Sequence, residues 1–172
     1  MVKKNYNLSL IGLGTVGSGF LDILSNRKHE ITDKYDINVK VVSVSNTKGT
    51  LYDQDGLEIK KILKLKSEGL KNPLKSYDES KFDKNSYELV FESNSDILLE
   101  TTPTNLEDGE PGLSNIKKAL NKGKDVITTN KGPISLEYQN LYKLSQKNQV
   151  KLMFEGTVLA GTPAINFIKK DL

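Results

Sequence analysis

Apolar residues in this chain come in short runs, separated by longer stretches in which they recur every three or four positions. Residues 7–12 (NLSLIG) alternate and then turn fully apolar, the pattern of a strand entering a core. Apolar residues at 16, 20, 21, 23 and 24 follow with helical spacing, and Ile37 to Val44 (INVKVVSV) is rich enough in β-branched residues to predict a second strand. Residues 51–68 carry Leu57, Ile59, Ile62, Leu63 and Leu65 and predict a helix. Residues 71–93 are polar and broken, with a short helix or strand expected near 86–92.

Regularity returns at residues 96–100 (DILLE), a short buried strand, followed by TTPTNLEDGEPG, whose Pro, Gly and Asp content predicts a loop. Residues 113–122 predict a helix closed by Gly123, and 125–128 a strand. Residues 133–147 predict a helix opened by Pro133, where a missing amide hydrogen costs nothing. Val150 to Phe154 reads as a further strand, and a helix is expected from Pro163 onward. Strands alternating with helices imply a parallel sheet covered on both faces, so the fold class is α/β, doubly wound.

A length of 172 residues suits one domain with a real core. The net charge is +3, the charged residues are mixed in sign, and Arg27 is the only arginine. Nucleic-acid readers lean on arginine and concentrated basic patches, so no nucleic-acid partner is expected, and the basic run KKILKLK at 60–66 reads as a solvated helix face. With no cysteine there is no disulfide framework and no thiolate metal site. The single histidine, His29, lies in a charged stretch and reads as an exposed surface residue rather than a triad member. No apolar run approaches the length of a membrane span, and the basic start MVKKNYN leads into a strand rather than a signal-peptide core, so a cytoplasmic protein without membrane association is expected.

The first strand-to-helix turn reads GLGTVG, residues 12–17. It fits the dinucleotide fingerprint of a Rossmann-type sheet. Gly12 permits the tight turn, Gly14 lets the backbone approach a pyrophosphate, Gly17 lets helix and strand pack closely, and the helix amino terminus is the anion site. Position makes the match informative, because it follows the first strand and opens a helix. No Lys-Ser or Lys-Thr follows the glycines, which excludes a P-loop. The second strand ends Val44-Ser45-Asn46-Thr47-Lys48, without the carboxylate that would accept hydrogen bonds from the adenosine ribose. Its absence removes repulsion of a 2′-phosphate, Lys48 is placed to pair with one, and Asn46 can still bond the ribose of NAD. NADP or NAD is the expected cofactor.

Five stretches together resemble the homoserine dehydrogenase family: GLGTVG at 12–17, VSVSNTKG at 42–49, LLETTPTNLEDGEPG at 98–112, IKKALNKGKDVITTNKGP at 116–133 and FEGTVLAGTPAI at 154–165. They occur in the family's order and span nearly the whole chain. The resemblance implies an NAD(P)-dependent interconversion of L-homoserine and L-aspartate 4-semialdehyde, in threonine and methionine biosynthesis, by a full-length form that is a homodimer. It implies cofactor contacts at Gly12, Gly14, Thr15, Val16, Gly17, Ser45, Asn46 and Lys48, with Thr101, Thr102, Pro103 and Thr104 packing the nicotinamide half. Lys131 is matched to the family's lysine beside nicotinamide and substrate, with Thr129 and Asn130 shaping the same rim. An ammonium there can fix a substrate oxygen and stabilise charge in the transition state. For Glu155, Val158, Ala160 and Thr162 the resemblance implies a monovalent cation site, usually sodium, built from one carboxylate and main-chain carbonyls.

Residues 1–155 are thus expected to form the NAD(P)-binding domain and 156–172 the bridge toward a substrate region that this sequence does not contain. No residue here matches the family's general acid/base group. The chain is expected to bind a nicotinamide nucleotide and to oxidise homoserine negligibly by itself. Two other readings are a non-catalytic NAD(P)-binding module and a different Rossmann oxidoreductase of a small aldehyde or amino acid.

Overall fold

In a computed structural model of the chain, residues 4–83, 87–160 and 162–171 are described. Expectations that touch 84–86 in the polar middle, Gly161 in the bridge and the chain ends at 1–3 and 172 lie outside them. The chain divides into two compact units, Met1–Ile97 and Leu98–Leu172.

In the first unit, β1 (Lys4–Ile11) is exposed where it begins and buried from Leu8 onward, as its shift from alternating to continuous apolar sequence requires. The glycine turn leads into α1 (Thr15–Asn26), which buries Gly17, Leu21 and Leu24 but leaves Val16 and Ile23 exposed. A helix the periodicity did not predict, α2 (Lys28–Tyr35), follows; it buries no residue, and His29 lies exposed on it. Its polar sequence has no apolar face to reveal it. Next, β2 (Ile37–Asn46) pairs parallel to β1, from Lys4 opposite Ile37 to Ile11 opposite Ser45.

The predicted helix over 51–68 forms only in its second part. Residues Gly49–Tyr52 make β3, which returns antiparallel on β2 with Asn46 opposite Gly49 and buries Thr50 and Leu51 completely. Gly49 sits at φ 140°, and a Cβ there would strike the Phe82 ring and the Asp83 carbonyl, so the hairpin needs glycine at this point. Helix α3 (Ile59–Ser67) then buries Ile62, and α4 (Pro73–Tyr77) is capped by the Asn72 side chain, which accepts from Lys75 N–H at 3.3 Å. Strand β4 (Phe82–Asp83) pairs with β3, and α5 (Leu89–Glu92) buries Val90 and Phe91. Strand β5 (Ile97–Glu100) follows.

The second unit continues with α6 (Gly112–Asn121), β6 (Asp125–Thr128), α7 (Lys131–Lys147), β7 (Leu152–Met153), a 3-10 turn over Glu155–Thr157 and α8 (Ala164–Asp171). Strand β7 pairs parallel to β6 and is shorter than the apolar run 150–154 predicts. Helix α7 begins two residues before Pro133. The proline therefore occupies its third position, still among those whose amide hydrogens have no partner within the helix. Ile116, Leu120, Val126 and Leu141 are fully buried and form its core. Strands run in the order β4-β3-β2-β1 in the first unit and β5-β6-β7 in the second, and their alternation with helices bears out the α/β, Rossmann-like expectation.

Leu10 is fully buried in β1. Leu10→Ala is expected to lower unfolding free energy by about 2–5 kcal/mol in urea titrations; a loss below about 1 kcal/mol would contradict the packing described.

Candidate cofactor site

The carboxyl end of β1 is held by a hydrogen bond from Gly12 N–H to Ser45 O at 2.9 Å, after which the chain turns with Gly12 at φ 98°. That backbone conformation belongs to glycine. Gly14 is the N-cap of α1, with no side-chain cap, and a Cβ added there would meet nothing within 4 Å. The first turn of α1, with Thr15, Val16 and Gly17, thus lacks side-chain satisfaction where the fingerprint expects an anion, beside open space at Gly14.

Lys66, from the run read as a solvated face, reaches this turn. Its ammonium donates to Gly14 O at 3.1 Å and to Ser18 Oγ at 2.7 Å, while Ser18 Oγ donates to Gly14 O at 2.6 Å. The signal was present in the helical spacing: Lys66 lies four residues after fully buried Ile62 and so on the inward face of α3.

The residues expected to meet the adenosine ribose are engaged in the β2–β3 hairpin. Ser45 is buried, donating to Gly49 O at 3.4 Å and accepting from Thr50 Oγ1 at 3.0 Å. Asn46 Oδ1 accepts Lys48 N–H at 2.8 Å, and the Lys48 ammonium donates to Lys71 O. An open cavity of about 590 Å³ beside them is lined by Thr47, Lys48, Asn72, Lys75, Glu79 and Phe82.

In the second unit, the loops after β5 and β6 meet over a buried carboxylate that apolar patterning does not reveal. Glu100 has no exposed surface. It accepts from Thr102 N–H at 2.9 Å, from the Thr102 hydroxyl, and from Thr128 Oγ1 at 2.9 Å. Thr128 Oγ1 in turn accepts Asn130 N–H at 3.0 Å. Asn130 is itself buried and caps α7, its Oδ1 accepting from Gly132 N–H at 3.2 Å. Its Nδ2 donates to Thr102 Oγ1 at 3.2 Å and to the carbonyls of Thr102 and Pro103 at 3.4 and 3.3 Å. A side chain at Gly132 would strike Asn105 O, so glycine lets the start of α7 press against the loop. Thr101 is buried, Thr104 is exposed, and Thr129 packs close to Gly156. Lys131 is the first residue of α7, and its side chain is exposed.

The bridge residues gather locally. Both carboxylate oxygens of Glu155 accept amide hydrogens from the start of α8, Ile165 at 3.0 Å and Asn166 at 3.3 and 3.1 Å. Val158 has extended backbone, Leu159 and Ala160 are left-handed at φ 51° and 49°, and Thr162 O accepts from Ala164 N–H at 2.8 Å. No group of three His, Asp or Glu side chains gathers for a metal among the described residues. A cation here would rest on main-chain oxygens and Glu155, shared with the cap of α8. Among the described residues no helix is long and apolar enough to cross a membrane.

Burial pushes the Glu100 carboxyl above the usual carboxylate range, while hydrogen bonds from Thr102, Thr128 and Asn130 work in the opposite direction and offset part of it. A raised folded-state pKa means stability that is fully present below the ordinary glutamate value and lost as pH rises through the raised one. Glu100→Gln is therefore expected to gain stability relative to wild type as pH rises from about 4 to 8. Urea midpoints of both proteins across that range check this, and parallel profiles would contradict it.

Comparison with known proteins gives these local sites a family. The model described as the homoserine dehydrogenase NAD-binding domain matches residues 12–155. A homoserine dehydrogenase of Methanocaldococcus jannaschii is 31% identical over 166 residues, which cover 96% of this chain and 48% of that protein. An NAD(+)-dependent homoserine dehydrogenase of Pseudomonas canavaninivorans is 32% identical over 97% of this chain and 47% of its own length. A hyperthermophilic archaeal homoserine dehydrogenase mutant, solved in complex with NADPH, superimposes with a TM-score of 0.80 at 27% identity over 98% of this chain and 49% of its own. The chain spans about half the length of the curated relatives it matches. With a family model covering most of its length, the chain belongs to the homoserine dehydrogenase family, as its NAD-binding domain.

Proposed function

We propose that this chain is the cofactor-binding part of an enzyme that moves hydride between a nicotinamide nucleotide and the C4 carbon of L-homoserine or L-aspartate 4-semialdehyde. The observation that carries the reading is the glycine turn: α1 begins without a side-chain cap, beside open space at Gly14. A pyrophosphate there would receive amide hydrogens from the first turn of α1, and Lys66 is placed to exchange Gly14 O for a phosphate oxygen. The Thr101–Thr104 loop and Lys131 would take the nicotinamide half, with the Lys131 ammonium fixing the substrate oxygen. Both NAD and NADP fit a second strand that ends without a carboxylate, and Lys48 favours the extra phosphate. A sodium ion on Glu155, Val158, Ala160 and Thr162 would order the bridge and take no part in hydride transfer. The 156–172 segment is proposed as that bridge, in a cytoplasmic protein whose full-length form is a homodimer.

Titration of the 172-residue chain with NADPH and with NADH, following nucleotide fluorescence, tests the reading. Saturable binding is expected, abolished by Gly14→Asp, which sets a carboxylate where the pyrophosphate would lie. Lys66→Ala is expected to weaken NADPH about tenfold, the cost of one charge-assisted hydrogen bond, and to reduce the salt dependence. Absence of binding by a chain shown by circular dichroism to be folded would overturn the proposal.

A further inference from the structure

Both threonine hydroxyls in the network after β5 and β6 point toward one group. Asn130 gives its backbone N–H to Thr128 Oγ1 and its side-chain amide to Thr102 Oγ1. Both threonine hydroxyls then give their hydrogens to Glu100, one to each carboxylate oxygen, and Thr102 N–H adds a third donor. A hydroxyl has one hydrogen to give. If Glu100 takes it, the threonine lone pairs remain for Asn130, and the polarity of the whole set is decided by the acceptor at its end.

The same residues set the shape of the rim. Thr102 and Pro103 are held through Asn130 Nδ2, and the first turn of α7, which carries Lys131, is held through Asn130 Oδ1. Glu100 itself is fully buried and so cannot touch a ligand in this arrangement. We infer that Glu100 is a positioning residue, whose buried carboxylate joins the loop carrying Thr102 and Pro103 to the turn carrying Lys131 and so orders the surface that receives the nicotinamide ring. This rests on the proposed function for the ligand, while the joining of the two loops stands on geometry alone.

Loss of Glu100 would strand the buried Thr128 hydroxyl, the half-buried Thr102 hydroxyl and an amide hydrogen, and release both loops together. Glutamine keeps the shape: its Oε1 can accept from Thr102 and its Nε2 can donate to Thr128 Oγ1, which retains a lone pair for Asn130.

The test compares wild type, Glu100→Ala and Glu100→Gln by amide hydrogen exchange and by titration with NADPH and with 2′-phospho-ADP-ribose, which lacks nicotinamide. In Glu100→Ala, exchange is expected to speed up at both Thr102 and Gly132, with protection across β1 and β2 unchanged. NADPH affinity should fall about tenfold, the scale of a lost buried hydrogen-bond acceptor, and the change in nicotinamide emission on binding should disappear, while 2′-phospho-ADP-ribose binds as before. Glu100→Gln is expected to restore protection, affinity and emission. Unchanged exchange at Thr102 and Gly132 in a folded Glu100→Ala protein overturns the inference. Equal weakening of both ligands also overturns it, as does failure of glutamine to rescue. If wild type binds neither nucleotide, the proposed function fails, and the exchange data alone decide the joining of the loops. If Glu100→Ala does not fold, Asn130→Ala replaces it, with the same coupled loosening at Thr102 and Gly132 expected and its absence decisive against the inference.

Discussion

The hydrogen bond from Gly12 N–H to Ser45 O ties the carboxyl end of β1 to β2, and the glycine turn depends on where it falls. Buried from Leu8 to Ile11, β1 must leave the sheet within a very few residues to avoid carrying unpaired backbone groups through the core. Gly12 makes that exit by taking a positive φ, and α1 starts immediately with its N-cap at Gly14. Burial of the strand therefore fixes the location and direction of the helix terminus. An uncapped terminus with partial positive charge is a standing requirement for an anion or water, which is how a packing constraint becomes a binding site.

The second unit meets a similar requirement differently. Strand β6 and helix α7 are joined by Thr129 and Asn130 alone, and Asn130 satisfies the helix start from within by capping Gly132 N–H. An internal cap leaves the end of α7 less suited to an anion than that of α1. What this end presents instead is Lys131, exposed on the first turn, above polar groups that converge on Glu100. Burying a carboxyl there costs free energy, against which the hydrogen bonds from Thr102 and Thr128 work. Order in both loops is the return on that cost.

Much of this was legible in the sequence, for identifiable reasons. The strands ending at Ile11, Asn46, Glu100 and Thr128 declare themselves because buried strands need apolar runs, and GLGTVG fixes its turn through glycine's conformational range. What escaped was whatever depends on contacts distant in sequence. The hairpin at Gly49–Tyr52 hides in a stretch whose apolar residues also suit a helix, and the need for glycine at its start comes from a positive φ and the close approach of Phe82 and Asp83. Lys66 reads as surface until its place four residues after Ile62 is counted. Glu100 lies two residues beyond buried Leu98, hence on the same face of β5, but besides Thr102 it needs Thr128, which comes from another strand end. Charge in the sequence suggests solvent, and only tertiary pairing shows otherwise.

The central claim is that the uncapped start of α1 holds the phosphates of a nicotinamide nucleotide. Amide chemical shifts recorded during titration of the labelled chain with NADPH test it most directly. The account predicts the largest changes at Gly14, Thr15, Val16 and Gly17, where phosphate oxygens would meet amide hydrogens. Saturating shifts elsewhere, with these four amides unmoved, would contradict it.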